Sequence, residues 1–106
     1  MKIDVKDIVL DVSKYLEKEV ILQGWVRNHR KQKEFGFIDF SDGTCFGTIQ
    51  LVYDNSLENF DSITKIKVGS SLEVTGTVIK SQGSGQEFEI KVSNILLVGD
   101  CPDEYP

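Results

Sequence analysis

The sequence has little of what catalytic sites are usually built from. Its 106 residues include one histidine, His29, and two cysteines, Cys45 and Cys101. The cysteines form no CxxC pair and stand at no metal-ligand spacing from a histidine, so a zinc site or a histidine-based triad has no parts to work with. Two thiols are also few for a small secreted domain, and both are expected to be reduced and dispensable. No apolar run approaches the roughly 20 residues of a membrane span. Asp4 follows the start at once, with no apolar stretch behind it, so no secretory signal is visible and a cytoplasmic location is expected. There is no G-x-S-x-G elbow, P-loop or dinucleotide fingerprint. Gly83-Ser84-Gly85 resembles a phosphate loop only in composition, since no lysine and helix follow it. Positive charge is short as well: 12 Lys and Arg stand against 17 Asp and Glu, for a net charge of −5. That balance argues against a general nucleic-acid coat protein.

What is present is an ordinary soluble composition, 40% apolar and 27% charged, in a length that suits one small domain. A domain of this size buries only about two thirds of its unfolded surface. Little volume is left for a deep cavity beside the core, so the working part is expected to be a surface. Charge is unevenly placed on it. Arg27, Arg30, Lys31 and Lys33 fall within seven residues that contain no acid, while all 17 acidic side chains lie elsewhere. Such a strip suits either a solvated hairpin or a partner that docks in one place.

Residues 5 to 16 carry Val5, Ile8, Val9, Val12, Tyr15 and Leu16 on one helical stripe, with Asp4 or Asp7 as its cap. After Glu19 the period changes. Val20, Leu22, Gly24 and Val26 alternate with Ile21, Gln23, Trp25 and Arg27, which predicts a first strand. A second strand is expected at about 35 to 41, a third at about 46 to 53, a fourth at about 71 to 80 and a fifth at about 87 to 92, extending as far as Val98 on the longer reading. Leu57, Phe60, Ile63 and Ile66 sit three apart and predict a helical stretch between the third and fourth strands. The chain therefore divides into a domain over residues 1–99 and an acidic, proline-bearing linker over 100–106. Five strands with a helix between the third and fourth follow the chain order of an all-β OB-fold, a five-stranded Greek-key barrel, here preceded by an N-terminal helix. Gly24 and Gly76 fall inside strands, where a barrel that must bend has a use for them.

Strand parity then selects a face. Ile38 and Phe40 require the core, so Phe37 points the other way; Ile49, Leu51 and Tyr53 require it too, so Gln50 points out. An aromatic ring and an amide are thereby offered on adjacent strands, which suits stacking on an unpaired base and reading its edge. Glu87 and Glu89 share the outward parity and have the chemistry to accept from a base amino group. The basic strip lies beside this face, where phosphates would pass. Each residue also has a plainer reading: Phe37 as core after a register shift, Gln50 and the glutamates as solvated surface, Trp25 as barrel packing, His29 as a solvated strand residue, and Asp39 and Asp42 as exposed face and turn. The binding reading rests on the convergence of several features on one face.

The run from Val20 to Arg30, with Gly24-Trp25-Val26 followed by a basic stretch, resembles the first strand of the anticodon-binding domain in the class II synthetases for aspartate, asparagine and lysine. Phe37-Ile38-Asp39-Phe40, then Asp42-Gly43 and Ile49-Gln50, is similar to the rest of that signature, and the spacing from Ser41 to Phe46 looks like the asparaginyl form. Lys31 departs from the aspartate subgroup, which often carries an acid there. The resemblance implies an anticodon-reading module of an asparagine–tRNA ligase. In it Phe37 stacks on a base, Gln50 reads the middle uridine, Arg30 grips the same nucleotide, and Glu89 sits near the first anticodon base. The implied partners are a tRNA anticodon loop and the catalytic domain of a homodimeric parent, with no membrane. ATP and magnesium belong to that catalytic domain, and no cofactor or metal is expected in these residues. The alternatives are a free-standing OB module for single-stranded nucleic acid, the equivalent aspartyl domain, and a barrel whose face docks a protein.

Overall fold

The computed structural model describes residues 2–44, 47–81 and 88–99. Cys45, Cys101, the Gly83-Ser84-Gly85 run, Glu87 and the expected linker over 100–106 lie outside these residues. Five strands, β1 (Glu19–Lys31), β2 (Phe35–Ser41), β3 (Ile49–Asp54), β4 (Ser71–Lys80) and β5 (Phe88–Gly99), close into a barrel in the order β1-β2-β3-β5-β4. Pairings are antiparallel except for a short parallel contact of β3 with β5, Leu51 opposite Ile90 and Val52 opposite Lys91. The alternation in the sequence is what is buried. Val20, Leu22, Ile38, Phe40, Leu51, Tyr53, Leu72, Val74, Val78 and Ile90 fill the interior.

Closure depends on β1, which is long enough to serve two neighbours. Its first half pairs with β4 from Glu19 to Trp25, its second half pairs with β2 from Trp25 to Lys31, and Trp25 belongs to both. Gly24 stands at this handover. A Cβ there would collide with the Ser41 carbonyl oxygen and the Phe40 ring, so the crossing strands come closer than any other residue permits. Gly76 plays the same part in β4, beside a register shift, where a Cβ would lie 2.6 Å from the Ile90 side chain.

The expected helix over 5 to 16 is broken in two, α1 (Val5–Leu10) and α2 (Val12–Tyr15). Asp11, at φ −152° and ψ 73°, leaves the helical region and turns its carboxylate onto the Lys14 N–H at 3.3 Å. Short acidic side chains offer the backbone such an alternative to helix. Val9, within α1, is exposed, whereas Val5, Ile8 and Tyr15 are buried. The start of α1 is anchored to the barrel. The Asp4 N–H donates to Asp7, and the Val5 N–H donates to the Asp42 carboxylate of the β2–β3 loop at 2.8 Å. The second helical stretch is shorter than expected, α3 (Phe60–Thr64), with Ile63 and Ile66 buried and Leu57 and Phe60 packed against the core.

Candidate nucleic-acid interface

One irregularity in β1 decides what faces outward. Val26 pairs with Phe40, but Asn28 pairs with Asp39, so Arg27 is an extra residue and the register shifts by one. A one-residue bulge exchanges the two faces of everything beyond it. Val20, Leu22 and Val26 point inward at even positions; past the bulge, His29 lies opposite Ile38 and Arg30 opposite Phe37. Arg30 is thereby turned onto the outer face, and His29 is turned in.

On that outer face four strands contribute to one chain of contacts. Arg30 donates through Nη2 to Oδ1 of Asp39 at 3.1 Å and to Oε1 of Gln50 at 3.0 Å. Gln50 donates in turn through Nε2 to Oε2 of Glu89 at 2.9 Å. The Arg30 guanidinium also lies over the Phe37 ring, 5.5 Å from its centroid. Phe35 meets Phe37 edge to face, with centroids 5.4 Å apart and planes at 84°. The Arg30–Asp39 ion pair is water-exposed, so it contributes at most about 1 kcal/mol to stability. What it supplies is a position for the guanidinium.

Phe37 is half-buried and stands outside the core cluster, so the parity argument for it holds. Gln50 faces outward beside it. Arg27, Lys31 and Lys33 are exposed, the first two on β1 and the third in the turn to β2. Glu89 departs from its plainer reading as solvated surface. It is 9% exposed and engaged by Gln50, because the parallel contact of β3 with β5 brings the two side chains together. Asp39 and Asp42 diverge: the first holds Arg30, while the second caps α1 and accepts from the Thr44 N–H and hydroxyl. Trp25 packs against the Gly43 turn, as the packing reading has it. Sequence reasoning missed Phe35, exposed by 42% on the same face. Its odd-numbered parity with Phe37 was the available signal.

His29 is likewise not the solvated strand residue expected. Its Nδ1 donates to the Ile66 carbonyl at 2.9 Å, which leaves Nε2 to accept from the Tyr53 hydroxyl at 2.6 Å. Tyr53 reaches it by crossing Gly36, where a Cβ would fall on the tyrosine ring. Burial holds the imidazole pKa below its ordinary value, opposed by the bond to Ile66 and assisted by the nearby Lys31 charge.

Comparisons with known proteins identify the family of the barrel. Residues 20–98, the barrel, match the tRNA anticodon family, described as an OB-fold nucleic acid binding domain. The chain belongs to that family. Among relatives of this anticodon-type OB domain, the asparagine–tRNA ligase of Acholeplasma laidlawii is 45% identical over the whole chain, which covers 23% of that protein. The asparagine–tRNA ligase of Desulfitobacterium hafniense is 42% identical over 96% of the chain and 22% of its own length. The domain thus spans about a quarter of the curated relatives it matches. The asparaginyl-tRNA synthetase of Pyrococcus horikoshii, solved with asparaginyl-adenylate, superposes with a TM-score of 0.75 at 25% identity, over 88% of this chain and 21% of that one.

Proposed function

We propose that this OB domain reads the anticodon loop of a tRNA on behalf of an asparagine–tRNA ligase, so that the cognate tRNA is the one presented for aminoacylation. The observation that carries the reading is the joined outer face of four strands, with a stacking ring, an amide, a guanidinium and a carboxylate within hydrogen-bond or van der Waals reach of one another. Phe37 supplies a sequence-tolerant platform for an unpaired base, and Phe35 widens it. Gln50 reads a base edge, Arg30 grips the same nucleotide, and Arg27, Lys31 and Lys33 meet phosphates that position the loop. The ATP- and magnesium-dependent joining of asparagine to tRNA belongs to the catalytic domain of the parent enzyme. Identity to two asparagine–tRNA ligases over nearly the whole chain supports the amino-acid assignment.

The test is binding of RNA hairpins that differ in one loop base. A uridine-centred loop should bind more tightly than a cytidine-centred one. Gln50→Ala should cost the uridine loop about 1–2 kcal/mol, the value of a lost hydrogen bond with its partner left unpaired, and cost the cytidine loop much less. Equal losses for both loops would remove Gln50 from base reading.

A further inference from the structure

Gln50 is flanked by two groups that cannot exchange roles. An arginine guanidinium only donates hydrogen bonds, and an ionised carboxylate only accepts them. Arg30 donates to Oε1 of Gln50, and Glu89 accepts from its Nε2. Turning the amide over would set its NH2 against the guanidinium and its oxygen against the carboxylate, both without a partner and both electrostatically opposed. The two flanks therefore permit one orientation. An amide offers two lone pairs and two N–H groups; with one of each engaged, one acceptor and one donor remain, in a fixed order.

That order matters for pyrimidines. Uracil presents its N3–H donor beside a carbonyl acceptor, whereas cytosine presents the N3 acceptor beside an amino donor. A freely turning amide suits either base by flipping. A locked amide suits one. We propose that Glu89 is a positioning residue for Gln50, locking the polarity of its amide so that the site accepts uridine and rejects cytidine, rather than itself contacting a base. The inference rests on the anticodon-reading function above and deepens it.

The two flanks are unequal. Arg30 has a half-exposed side chain, held from the far side by Asp39, and can swing into water at little cost. Glu89 is buried and its carboxylate is already on Gln50, so it has no such exit. Glu89 therefore carries most of the lock, and its isosteric amide is the informative change. In Glu89→Gln the new side chain has both a donor and an acceptor to offer Gln50, so either orientation of Gln50 finds a partner.

The experiment measures the affinity of the whole chain, wild type and Glu89→Gln, for two RNA hairpins with uridine or cytidine at the central loop position, together with the melting temperature of each protein. Wild type should prefer the uridine hairpin about tenfold, the equivalent of one well-made pair of hydrogen bonds. Glu89→Gln should keep its melting temperature, bind the cytidine hairpin more tightly than wild type does, and bring the ratio toward one. An unchanged ratio overturns the lock while leaving anticodon reading in place, as does an equal loss for both hairpins, which is what mere structural support of the face would give. A wild type that fails to distinguish the two hairpins overturns the reading of the site, and the lock with it.

Discussion

The two halves of β1 share a strand and differ in everything else. From Glu19 to Trp25 the strand alternates without interruption, pairs with β4, and sends Val20 and Leu22 into a fully buried interior. From Asn28 to Lys31 it pairs with β2 after a bulge, sends a histidine inward, and presents Arg30 to the face that carries Phe37 and Gln50. The first half is set by hydrophobic burial and tolerates no change of register. The second half is set by hydrogen bonds to His29 at one side and Arg30 at the other, and its register is already displaced. The side chains proposed to read RNA gather where the regular pattern has been broken once.

The widest separation between the halves is expected from a pair of truncations. Leu22→Ala removes a fully buried side chain that the closed barrel cannot collapse around, and should cost about 2–5 kcal/mol of stability. Arg30→Ala removes an exposed ion pair with Asp39, a bond to Gln50 and a contact with the Phe37 ring, all on the outer face, and should cost no more than about 1–2 kcal/mol, while weakening binding of an anticodon hairpin. Denaturant unfolding and hairpin titration of the two variants measure both axes. A comparable loss of stability from Arg30→Ala would mean that the outer network is structural.

That division explains how much of the molecule could be read from residues alone. The bounds of β2 and β4 follow from alternation, and both match the expected 35 to 41 and 71 to 80. The outward placement of Phe37 and Gln50 follows from the same rule. The bulge at Arg27 does not, because no glycine or proline stands at it. The orientation of His29 was illegible for that reason. The burial of Glu89 was illegible for another: it depends on the parallel approach of β3 and β5, strands separated by α3 and β4 in sequence. The break at Asp11 is local, made by its own carboxylate on the Lys14 N–H, but Asp7, equally acidic, stays within α1, so residue type alone does not mark it.

The next effect in size separates stacking from packing on β2. Phe37→Ala should weaken every unpaired loop by about 1–3 kcal/mol, because base–aromatic stacking is indifferent to sequence. It should leave the melting temperature nearly unchanged, since the ring stands outside the core cluster. Phe35→Ala should act in the same direction and less, as Phe35 meets Phe37 only at an edge. Affinities for a panel of hairpins with different loop sequences check this. A steep fall in melting temperature with unaltered affinity would return Phe37 to the core and remove the recognition face.

The smallest expected effect probes the inward turn of the second half of β1. The His29 imidazole is neutral where it sits, donating to Ile66 and accepting from Tyr53, and burial lowers its pKa from the ordinary 6.5. The sign follows from proton linkage. Above 6.5 the residue is neutral in both folded and unfolded chains, and pH has no purchase on it. Below 6.5 the unfolded chain takes up the proton first, so stability falls as pH falls, until the pH drops below the folded pKa and both states are charged. His29→Gln retains a side chain that can donate to the Ile66 carbonyl but does not titrate. Its unfolding free energy should therefore be flatter than wild type on acidification from 6.5, with the carboxylate-driven loss at lower pH common to both. The difference between the two curves is the measurement. If wild type and His29→Gln run parallel through that window, the histidine titrates as freely as it would in water, and the inward turn that the bulge imposes on β1 is wrong.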